Sequence, residues 1–163
     1  MLAYRLFDHR AAYVQSPHFN PLDGSGGLYS AMRWNERGTP MLYCSASPSL
    51  AMLEILANVD AANFGERTLL TLKLPAKITK KVITDKHLLQ LWRDAKDGDT
   101  YKATQTFGTL WSQSGKELML EVPSVVCPFE KNYLINPRHP DFVKVKEIGR
   151  EIVRLDNRLL PKG

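Results

Sequence analysis

Residues 33–54 read RWNERGTPMLYCSASPSLAMLE, and the change of pattern along them sets the fold class. The turn Gly38-Thr39-Pro40 leads into Met41–Ser45, a short run that reads as a strand. Ser47-Pro48 then offers an N-cap and a first-turn proline. Ser49–Val59, SLAMLEILANV, continues as a helix apolar enough to be buried, and its only charge is Glu54. An ionised carboxylate on such a helix is costly unless it is paired or put to use, which makes Glu54 the first candidate for chemistry.

Working outward, Leu2–Phe7 reads as a first strand. From Arg10 to Trp34 the chain carries Pro17, Pro21 and the DGSGG run at Asp23–Gly27, a long irregular segment of the kind that is often functional. Arg67–Leu74 alternates as a half-exposed strand ended by Pro75, and Val82–Thr84 reads as another short strand. Asp85–Arg93 and Thr104–Ser114 read as helices, and Leu118–Val122 and Val125–Cys127 as short strands around the Pro123-Ser124 break. Asn132–Asn136 is a strand end or loop, Asp141–Ile148 a short helix and Glu151–Leu155 a last strand. Strands and helices mix without a regular βα repeat, and no GxGxxG follows a strand. That pattern predicts an α+β fold rather than a doubly wound sheet. No repeat or linker divides residues 1–163, which read as a single domain.

Composition is that of a globular protein, 44% hydrophobic and 24% charged. The apolar runs are too short to span a bilayer, and MLAYRLFDHRAAY places Arg and Asp-His-Arg where a signal peptide needs its apolar stretch, so a cytoplasmic location is expected. Cys44 and Cys127 show no CxxC spacing and read as two buried, reduced thiols. A net charge of +5 suits nucleic acid, an acidic protein or a phosphate-bearing small molecule, but the basic residues are dispersed and select none of these.

Four further positions carry candidate chemistry. Arg33 follows a glycine-rich loop whose backbone could approach a ligand closely, and a guanidinium grips phosphate or carboxylate with two parallel bonds. Tyr43 could stack on a planar ring or simply pack in the core. Ser45 could supply a hydroxyl contact, whereas Ser47 is accounted for as a cap. Ser124 either serves a ligand or satisfies the turn after Pro123. Arg5, inside the first strand, reads chiefly as structural. The histidines, His9, His18, His87 and His139, have no metal-ligand spacing and pair with no nucleophile motif.

Taken together, these segments resemble the RES domain, named for its arginine, glutamate and serine, which acts as the toxin of bacterial toxin–antitoxin pairs. The resemblance is carried by Tyr4-Arg5, by SGGLYSAMRWNERGTPMLYCSASPSLAMLEIL at Ser25–Leu56, by TQTFGTLW at Thr104–Trp111, by LEVPSVV at Leu120–Val126 and by NYLINPRHPDF at Asn132–Phe142. The chain departs from the family at Ala31-Met32, where two glycines are usual. The resemblance implies an ADP-ribosyltransferase-like domain, with a split, curved mixed sheet around a cleft that takes NAD as substrate and no metal. It also implies a helix-turn-helix (Xre-type) antitoxin that blocks the cleft, in a homodimer or a toxin–antitoxin hetero-oligomer.

On this resemblance Arg33, Tyr43 and Glu54 form the catalytic set, and Arg5, Ser45 and Ser124 bind the dinucleotide. Glu54 would stabilise positive charge on the ribose as nicotinamide leaves. Water, inorganic phosphate or a protein side chain could then accept the ADP-ribosyl group, and the sequence leaves these open. Two other classes compete. One is an RNA-binding or RNA-cleaving toxin, drawing on the basic charge and on Trp34, Trp92 and Trp111. The other is an inactive binding module that keeps the fold.

Overall fold

The computed structural model describes residues 1–59, 64–94, 101–156 and 158, apart from the side chain of Trp92. Seven strands of the described residues form one mixed sheet: β1 (Leu2–Phe7), β2 (Leu42–Ser45), β3 (Glu66–Lys73), β4 (Lys80–Val82), β5 (Met119–Pro123), β6 (Lys131–Ile135) and β7 (Lys146–Arg154). Their order is β4-β5-β6-β2-β1-β3-β7, and every pairing is antiparallel except β4 with β5. Among the described residues four α-helices accompany them: α1 (Gly26–Tyr29), α2 (Pro48–Leu56), α3 (Lys86–Asp94) and α4 (Lys102–Ser114). The fold is α+β, as expected.

The split lies between β2 and β1. Here one residue pair, Tyr4 opposite Ser45, joins a well-paired β4-β5-β6-β2 half to a well-paired β1-β3-β7 half. Alternation along the strands sorts side chains onto two faces. Ala3, Phe7, Leu42, Cys44, Leu70, Leu72, Met119 and Ile135 form one core, covered by Val14, Phe19 and Leu22 of the irregular segment. On the other face α4 brings Trp111 against Leu120, Val122 and Leu134, while α2 brings Ala51 against Leu6 and Leu69. The strip of β2 and β6 between α2 and α4 is where Ser45, Asn132 and Tyr43 stand.

The structure corrects several readings of the sequence. Val125–Cys127 is a loop rather than a strand, because Ser124 N–H donates to the Glu130 carbonyl at 3.0 Å and closes the segment on itself. Asp141–Ile148 is not a helix. A 3-10 turn at Pro140–Lys144 gives way at Lys146 to β7, which pairs with β3 with one register shift between Thr71 and Leu72. The helix expected to be buried is buried only at Leu50 and Ala51, while Leu53 is exposed. Cys44 is buried and its thiol is pushed up to about 12 by burial, whereas Cys127 is half-buried.

α4 ends at Gly115, whose φ of 61° is the left-handed conformation that L side chains avoid. A Cβ at Gly115 would meet nothing within 4 Å, so Gly115→Ala carries only the backbone cost, about 1 kcal/mol. A chemical denaturation series should show that small loss with an unchanged slope.

Candidate active site

Glu54 lies three and four residues after Ala51 and Leu50, on the flank of α2 that faces the sheet, and it is half-buried. Its Oε1 accepts two hydrogen bonds, from Ser124 Oγ at 2.7 Å and from Asn132 Nδ2 at 2.5 Å. Ser124 is buried and also accepts the Cys127 N–H at 2.9 Å, so its turn-satisfying and its polar roles coexist. Ser45 Oγ donates to Asn132 Oδ1 at 2.8 Å. Oε2 of Glu54 has no hydrogen-bond partner among the described residues. The group is thus a carboxylate with one oxygen fixed by two donors.

α2 is anchored at its start by the residues expected to cap it. Ser47 Oγ accepts the Leu50 N–H at 3.1 Å and donates to Glu130 at 2.6 Å, placing a carboxylate at the positive end of the helix. Ser47→Ala removes both bonds and should cost about 1 kcal/mol, read as a melting temperature a few degrees lower.

Arg33 and Trp34 form the tip of a tight turn, closed by Met32 N–H to Asn35 O at 3.0 Å and Asn35 N–H to Met32 O at 3.4 Å. α4 clamps this turn from one side. Thr104 Oγ1 donates to the Arg33 carbonyl at 2.6 Å, Gln105 Nε2 to the Met32 carbonyl at 2.9 Å, and Thr109 Oγ1 accepts the Glu36 N–H at 2.9 Å. From the sheet side Tyr43 Oη accepts the Trp34 N–H at 3.1 Å and donates to Asn35 Oδ1 at 2.8 Å. Burial pushes the Tyr43 phenol well above its ordinary value, opposed by the Trp34 N–H and the Arg33 charge. Arg33 itself lies over the Tyr101 ring, 4.4 Å from Cζ to the centroid, and Nη2 donates to Tyr101 Oη at 3.0 Å.

The structure therefore joins Glu54, Ser124 and Ser45 in one hydrogen-bonded group, and ties Tyr43 to the turn that carries Arg33. Arg5 stands apart. It alternates with Tyr4 and Leu6, which face α2, and so lies on the opposite side of the sheet with Ala3 and Phe7. There its Nη1 donates to the Tyr43 carbonyl at 3.3 Å, its Nε is buried without a partner among the described residues, and burial lowers its pKa. The glycine-rich loop meets the chain itself: a Cβ at Gly27 would overlap the Thr39 carbonyl. Asn132 and Tyr101 were not singled out from sequence. Asn132 becomes visible only once β2 and β6 are placed in register, Ser45 opposite Asn132.

Comparison with known proteins gives the family of the chain. The model of the RES domain matches residues 2–156. A protein named Toxin Res from Pseudomonas putida is 35% identical over 141 residues, covering 85% of this chain and 92% of its own. A Toxin Res from Photorhabdus laumondii is 32% identical over 162 residues, covering 98% and 97%. A Prs ADP-ribosylating toxin from a Sphingobium species is 34% identical over 128 residues, covering 77% and 78%. Among solved structures, the M. tuberculosis MbcT–MbcA toxin–antitoxin complex contains a chain that superposes with a TM-score of 0.67 at 15% identity, covering 93% of this chain and 83% of that one, a likeness of fold. The chain belongs to the RES domain family.

Proposed function

We propose that this chain is the toxin of a bacterial toxin–antitoxin pair and that it consumes NAD by breaking the nicotinamide–ribose bond. The observation that carries the reading is the Glu54 carboxylate, with Oε1 held by Ser124 and Asn132 and Oε2 open. When the C1′–N bond breaks, its electron pair returns to the cationic nicotinamide ring, so departure needs no strong acid. The ribose left behind gains oxocarbenium character, which a fixed carboxylate stabilises. Arg33 is assigned to a phosphate or to the ribose, and Tyr43 holds the Arg33 turn while bordering the nicotinamide. Ser124 and Ser45 keep the carboxylate group in order, and Arg5 braces β1 against β2.

The attacking oxygen comes from water, which loses a proton to give ADP-ribose, or from inorganic phosphate, giving ADP-ribose 1″-phosphate. The second reading, transfer to a host protein, is favoured by the relative named as an ADP-ribosylating toxin. Incubating the purified chain with NAD, with and without phosphate, and identifying the products separates the three. No loss of NAD under any condition would reject the proposal and leave the inactive binding module.

RNA chemistry is less well supported, since Trp34 and Trp111 are buried and offer no stacking surface to bases. An antitoxin of the helix-turn-helix type fits the apolar fringe beside Ser124, where Val125, Val126 and Phe129 are exposed. Such a partner would sit in a toxin–antitoxin hetero-oligomer, with or without a toxin homodimer. No described helix is long and apolar enough to cross a membrane, and the proposed site of action is the cytoplasm, where NAD is found.

A further inference from the structure

We infer that Asn132, polarised by Ser45, is a positioning residue that presents Oε2 of Glu54 to the ligand. The inference rests on the reading of Glu54 given above. An amide can point either its oxygen or its nitrogen at a neighbour, and the two ends differ little in size. Here the choice is forced. Ser45 and Asn132 are directly opposed on β2 and β6, and Ser45 Oγ lies 2.8 Å from Asn132 Oδ1. With Oδ1 occupied by the serine proton, Nδ2 faces Glu54 Oε1 at 2.5 Å. The reverse orientation would press an amide oxygen against a carboxylate oxygen.

Ser124 is polarised in the same sense. Its oxygen accepts the Cys127 N–H at 2.9 Å, so its own proton goes to Glu54 Oε1 at 2.7 Å. Two chains of donors, one from β2 through β6 and one from the 124–130 loop, therefore converge on a single oxygen. The carboxylate plane is fixed from both sides, and Oε2 is the oxygen turned away from the donors. A site held by its supporting hydrogen bonds in this way needs little reorganisation as charge develops. Ser45 thereby acts through Asn132.

The test compares Asn132→Asp and Ser45→Ala with the native chain. Asn132→Asp keeps the shape, removes the donor and sets two carboxylates side by side. It should lower kcat for NAD loss by about 100-fold, with KM changed much less. It should also move the acid limb of the pH–rate profile to higher pH, because adjacent carboxylates titrate as a pair. Ser45→Ala takes the donor from Asn132 Oδ1 and holds the amide less firmly, and it should lower kcat by roughly 10-fold without moving that limb. Native kcat and an unmoved pH profile in Asn132→Asp would overturn the inference.

A readout independent of turnover keeps it separable from the functional proposal. The Asn132 side-chain NH2 signals in a 1H–15N spectrum of the native chain should report a held amide. They should move in Glu54→Gln and scatter in Ser45→Ala. If the native chain consumes no NAD yet these signals follow Glu54, the function is wrong and the relay stands. If they are indifferent to Glu54→Gln, the relay falls whatever the chain does to NAD.

Discussion

Glu54→Gln is expected to lower the rate of NAD loss by about 100- to 1000-fold while leaving the protein folded. The substitution keeps the number of heavy atoms and can keep both contacts. The glutamine oxygen takes the place of Oε1 and accepts from Ser124 and Asn132, which lie at 2.7 and 2.5 Å in the native chain. Its NH2 then occupies the position of Oε2. Cap and packing are untouched, since Ser47 and the buried Leu50 and Ala51 hold α2. What changes is charge, and only the charge is matched to the oxocarbenium-like ribose. Binding of NAD should therefore survive within a few-fold, and the melting temperature should move by no more than a few degrees. Native turnover in the purified variant would sink the assignment of Glu54. Loss of turnover together with loss of cooperative unfolding would point to a structural role instead.

Much of this arrangement was legible in the sequence where local signals are strong. Ser47-Pro48 marks the start of α2 because cap chemistry is local, and β1 and β3 are visible because they are apolar and alternate. Only the first half of β7 was hidden, for the opposite reason, since Glu151–Leu155 reads as a strand. KEIGREIVR mixes charged and apolar residues, Ile148 and Ile152 are exposed, and only pairing with β3 makes the segment a strand. Val125-Val126 misled in the other direction, as β-branched residues in a loop whose ends are closed by Ser124 and Glu130.

The site divides along the same line. Glu54 announces itself by its cost on an apolar helix, and Arg33, Tyr43 and Ser124 are candidates by residue type that take their roles from the family resemblance. Asn132 has no such signal, because an asparagine in NYLI gains meaning from the residue across the ladder. Arg5 shows the limit in reverse. A strand reverses direction at every residue, so Tyr4 faces α2 while Arg5 faces the opposite core, whatever their neighbours in sequence suggest.

Gly108→Ala should destabilise the fold and disable the site together, although alanine is the better helix former by about 1 kcal/mol. The reversal of sign follows from one contact. Gly108 lies in the middle of α4, and a Cβ there would overlap the carbonyl oxygen of Trp34 and crowd its Cβ at 3.4 Å. Backbone cannot yield as a flexible side chain would, so the helix and the Met32–Asn35 turn must part. That separation stretches the bonds from Thr104 to the Arg33 carbonyl and from Gln105 to the Met32 carbonyl, now 2.6 and 2.9 Å. It also pulls the Trp34 N–H from Tyr43. The cost of such overpacking is about 1–3 kcal/mol, and a displacement near 1 Å at Arg33 would lower turnover by up to roughly 100-fold. Gly115→Ala, on the same helix but with open space around its Cβ, should lose stability and keep its activity. If Gly108→Ala instead stabilises the chain, as an ordinary helix glycine would, α4 does not hold the Arg33 turn at that contact.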